Sequence, residues 1–165
     1  MSVASGTKVE SINDELLNKS YLTAKKILES GGSYLKPFVI FKTFEEKSGL
    51  ITIPLNKKLD DIDEFDFSEI VTNELIELCN QKKISDVYIT VEMQRTNDEN
   101  NLPIMIPEYY ISITHETHLF SDNYISKILM NDDEKVIVGP LYKLDEGQRL
   151  GSVFNILYPK VFHTA

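Results

Sequence analysis

The chain has 165 residues, 42% of them hydrophobic and 26% charged, with a formal net charge of −9 at pH 7. That length supports one domain, residues 1–165, with a single sizeable core. The acidity argues against nucleic-acid phosphates as the main ligand, because holding them needs a basic surface.

No apolar run approaches the roughly 18 residues of a transmembrane helix, so no membrane contact is expected. The first residues, MSVASGTKVES, lack the apolar segment of a secretory signal, and residues 1–10 read as a flexible leader. One cysteine, Cys79, excludes a disulfide framework and fits a reducing, cytoplasmic setting.

Ser11 is placed as the N-cap of a first helix, with Asp14 and Glu15 in its acidic first turn. Leu17, Tyr21, Ala24 and Leu28 form its apolar stripe, joined by Leu16 and Ile27, and Gly31-Gly32 ends it. Phe38–Leu55 then reads as a hairpin. Its first strand is apolar on both faces, Glu46–Gly49 makes the turn with Gly49 at positive φ, and Pro54 stops the second strand.

The carboxylates between Asp60 and Glu69 do not make an EF-hand calcium loop: with Asp61 first, the sixth position holds no glycine. Asp66 and Glu69 instead resemble a capping box opening a second amphipathic helix, Phe67–Lys82, which buries Cys79 beside Leu75 and Leu78.

Asp86–Met93 alternates cleanly, with Val87, Ile89, Val91 and Met93 on a buried face and Asp86, Tyr88, Thr90 and Glu92 on a wet one. A polar loop at 96–101 links it to Leu102–Pro107, an edge strand or irregular extension because of its two prolines. Tyr109–Leu119 is a further strand, and Ser121–Lys127 fits either a short helix or a loop. Lys127–Val138 makes a closing hairpin that Gly139-Pro140 breaks, and residues 141–165 form a docked strand or short helix. The expected fold is α+β: a two-layer domain, mainly antiparallel sheet, with two amphipathic helices packed on one face.

Chemistry is sparse. His115-Glu116-Thr117-His118 is the only histidine cluster, and His115, Glu116 and His118 are the candidate metal ligands. The spacing differs from the helical H-E-x-x-H pattern, and on a strand the two histidines point to opposite faces. No nucleophile motif is present, no catalytic residue is assigned and no cofactor is called for. Tyr88, Tyr109 and Tyr110 are candidate binding residues, as aromatics on a sheet face that bury area at low entropy cost. The expected function is a non-catalytic protein-interaction module, acidic and cytoplasmic, binding a protein partner (in one version a basic one, as an immunity protein or antitoxin does) or associating with itself. The alternative is a small metal-dependent enzyme or metal-binding protein built on the 115–118 segment.

Overall fold

The computed structural model describes residues 6–31, 35–52, 84–98, 100–117 and 120–144. In chain order these form β1 (Gly6–Lys8), α1 (Glu15–Glu29), β2 (Phe38–Thr43), β3 (Ser48–Thr52), β4 (Ile84–Asn97), β5 (Pro103–Glu116), β6 (Ser121–Met130) and β7 (Val136–Leu144). All seven strands join one antiparallel sheet in the order β1-β7-β6-β5-β4-β2-β3.

This corrects the two-layer reading with two helices. The described residues hold one helix, and the sheet dominates because segments left ambiguous by local pattern are strand. Ser121–Lys127 belongs to β6, and residues 141–144 to β7. The expected second helix, Phe67–Lys82, lies outside the described residues, as do the acidic stretch at 60–69, Cys79 and residues 145–165.

Helix α1 begins at Asp14, not Ser11: the Asp14 carboxylate accepts from the backbone N–H groups of Leu16 and Leu17. Ser30 caps its other end, and Gly31 follows at a φ of 101°. Its Leu17, Ala24 and Leu28 pack on Phe38, Ile40, Ile111 and Ile113 of the sheet. Three polar links add to that contact. Tyr88 donates to Asp14, Tyr21 to the Gly139 carbonyl, and the Val138 N–H to Glu29.

The face of β4 expected to be wet is therefore the one the helix covers, and Tyr88 and Thr90 on it are buried. Val87 and Ile89 on the other face are buried as well, so the strand is enclosed on both sides from Val87 to Thr90. The same holds at the start of β2, where Phe38, Val39, Ile40 and Phe41 are all buried, as their two-faced apolar pattern implies.

Gly139-Pro140 does not break β7. Ser126 pairs with Leu141 and Ile128 with Val138, so two residues of β7 stand opposite Lys127 alone as a β-bulge. A Cβ at Gly139 would lie 3.2 Å from the Lys127 carbonyl oxygen, which explains a glycine there. The bulge rephases the strand, so Val138 and Leu141, three residues apart, both reach the helix-side core. At the far edge, β1 takes in three residues of the segment read as a leader, paired with Tyr142–Leu144.

Candidate functional site

Two regions stand apart from plain packing. The first is a polar junction around His115, at the sheet end where α1 starts. β5 brings His115 opposite Tyr88 of β4, and their rings stack with centroids 4.1 Å apart and planes 12° apart. Nε2 of His115 lies 2.7 Å from Asp86 Oδ1, and Nδ1 faces Asp14 Oδ2 at 3.7 Å. Ser85 donates to Asp86 Oδ2 at 2.7 Å, Lys42 Nζ stands 3.7 Å from the same oxygen, and Phe120 meets the imidazole edge-on.

Burial pushes the Asp86 carboxyl up, but hydrogen bonds from His115 and Ser85 and the charge of Lys42 outweigh it and hold the group below its ordinary value. An ionised Asp86 only accepts, so Nε2 of His115 carries the proton between them. Burial, then the bond to Asp14, pushes the Tyr88 hydroxyl well above the usual tyrosine range, keeping it a donor. A general base needs a nitrogen open to substrate. His115 is 8% exposed, with one nitrogen bonded to Asp86 and the other facing Asp14, so the arrangement locks the helix start to the sheet.

The candidate metal ligands do not converge. His115 lies on the helix side of β5, Glu116 points to the opposite face and is buried there, and His118 lies outside the described residues. Among the described residues no three His, Cys, Asp or Glu side chains could hold an ion together. The candidate tyrosines separate as well. Tyr88 and Tyr109 share the helix-side face but sit opposite His115 and Gln94, about 20 Å apart along the strands. Tyr110 is on the other face, buried beside Ile125 and Leu144, where burial and its bond to Glu108 push its hydroxyl to about 12. Tyr109 alone is substantially exposed.

The second region is the opposite end of the sheet, where the β4–β5 and β6–β7 hairpins turn. Asn97 pairs with Pro103 and Arg95 with Glu108, so four residues of β5, Ile104–Pro107, stand opposite Thr96 alone. The segment expected as an edge strand or irregular extension is thus the irregular start of β5, with Pro103 still paired to β4. Met105 on this excursion is 100% exposed and Ile106 79%, with Leu102 beside them at the turn. The neighbouring hairpin adds Met130, 66% exposed, two residues beyond the Ile128 that pairs with Tyr109. The two turns also carry carboxylates: Asp98 in one, and exposed Asp132, Asp133 and Glu134 in the other.

Asp14, Asp86, Met105 and Ile106 were not among the residues singled out by motif. The first two are joined to His115 and Tyr88 only by the fold. The last two carried a usable signal in Pro103-Ile-Met-Ile-Pro107, an apolar triplet whose flanking prolines each remove a backbone donor from the ladder. Among the described residues no helix is long and apolar enough to cross a membrane. Comparison with family models, curated proteins and solved structures finds no match.

Proposed function

We propose that this chain is a non-catalytic protein-binding module that meets its partner with the end of the sheet formed by the β4–β5 and β6–β7 turns. The observation that carries the reading is the β5 excursion, which holds Met105 and Ile106 almost wholly in water. Apolar side chains clustered in that way mark contact surfaces. Prolines at both ends of the excursion limit the freedom lost on binding. A cytoplasmic location agrees with the lone Cys79, and neutralising a basic partner, as an immunity protein or antitoxin does, agrees with the charge of −9. The metal-dependent alternative draws no support from the placement of His115 and Glu116 on opposite faces.

The test is differential capture from the native host lysate with the tagged chain and its Met105→Asp/Ile106→Asp variant, read by mass spectrometry. The expected result is a stoichiometric partner held by the parent chain and missing from the variant. Identical proteins in both lanes overturn the reading. Both side chains lie outside the core, so the variant keeps its melting temperature.

A further inference from the structure

We infer that the surface meeting this end of the sheet is a concave apolar pocket rimmed by Lys and Arg side chains on a protein partner. The inference rests on the docking reading above and adds the chemistry of the occupant. The excursion is convex: four residues of β5 project opposite one residue of β4 and place Met105 outermost. A convex apolar projection fits a recess. At this end stand Asp98, Asp132, Asp133 and Glu134, against two cations among the described residues, Lys135 and Arg95, whose Nε donates to the Asn97 carbonyl. An apolar centre whose rim carries more carboxylates than cations selects a partner whose rim is mainly cationic.

The same charge argues against a second copy as occupant. Two such ends placed face to face would bring acidic turns together, on chains that each carry −9.

The chain contains no tryptophan, so a probe carrying one reports binding against a dark background. The probe is a synthetic amphipathic peptide of alternating Lys and Leu with a single Trp, and its counterpart has Glu in place of each Lys. Three variants are titrated beside the parent chain: Met105→Ser/Ile106→Ser, which removes apolar contact without adding charge; Asp132→Asn/Asp133→Asn/Glu134→Gln; and the control Glu10→Gln/Glu45→Gln/Glu46→Gln, which removes equal charge away from these turns. The Lys peptide is expected to bind the parent chain, to weaken about tenfold with either of the first two variants, and to be unchanged by the control. The Glu peptide is expected not to bind.

An equal loss with the control overturns the inference, because attraction would then be to net charge alone. Loss with the Met105/Ile106 variant but none with the 132–134 variant overturns the cationic rim and leaves the docking reading standing. No loss with the Met105/Ile106 variant overturns the docking reading itself. Light scattering of the parent chain decides the remaining occupant: a dimer abolished by Met105→Asp assigns this end to a second copy and overturns the inference.

Discussion

Glu46, Asn101 and Glu134 share an unusual backbone, with φ of 65°, 65° and 60°. Each is the last residue of a hairpin loop of one design. The N–H of the left-handed residue bonds back to the carbonyl of Thr43, Asp98 or Asn131, and that residue's N–H bonds forward to the carbonyl of Lys47, Leu102 or Lys135. The side chain of the same opening residue also accepts from the loop backbone. This is a type I turn followed by a left-handed residue, the position where glycine is most at ease. Gly49, expected to fill that role, lies in β3 instead, opposite Phe41, whose ring crosses the space a Cβ would take. Glu46→Gly and Glu134→Gly should each stabilise the fold by about 0.5–1 kcal/mol, whereas Asn101→Gly should be nearly neutral, since Asn tolerates this conformation. Denaturant midpoints of the three variants check this.

For the single described helix, one residue carries two duties. Asp14 caps α1 through Oδ1 and receives the Tyr88 hydroxyl on Oδ2 at 2.7 Å. Asp14→Ala should therefore cost about 2–3 kcal/mol, the lost cap plus a hydroxyl left without its acceptor, while Asp14→Asn, which keeps an oxygen for the cap, should cost about half as much. Urea unfolding of both variants separates the contributions. The helix stripe, the β2–β3 hairpin and the alternation of β4 were readable because each is a local periodicity. The burial of Tyr88 was not, since its partner lies 74 residues away and a row of Asp, Tyr, Thr and Glu looks like a water-facing edge. Gly139-Pro140 misled for a related reason. The pair interrupts strands when nothing constrains it, and here pairing with β6 absorbs it as a bulge. The exposed end was half visible: two prolines placed the irregularity, but only pairing with β4 shows how far Met105 projects.

For the whole molecule, the junction of Asp14, Tyr88, Asp86 and His115 ties acid stability to helix docking. The Asp86 carboxyl is held below its ordinary value of 3.8, so its ionised form favours the fold above that pH, and the contribution is lost as pH falls through its folded value. Glu92 acts in reverse: burial raises it above 4.5, so its share of stability is present at low pH and lost as pH rises. Asp86→Asn should thus be less stable than the parent chain near about pH 7 and fall less between about pH 5 and about pH 2, as denaturant midpoints along that range would register.

The strand order carries a consequence for how the chain acquires its fold during synthesis. β4 to β7 are successive neighbours, each able to pair with the strand made just before it. Helix α1 and β1 precede them all, yet β1 pairs with β7, and Val138 and Leu141 of β7 help form the surface that receives the helix. The apolar stripe of Leu17, Ala24 and Leu28 thus leaves the ribosome early and cannot complete its contact until β7 has emerged. Throughout that interval it stays open to holding chaperones, and docking of the helix is a late, long-range step onto a sheet whose β4–β7 part assembles from local hairpins.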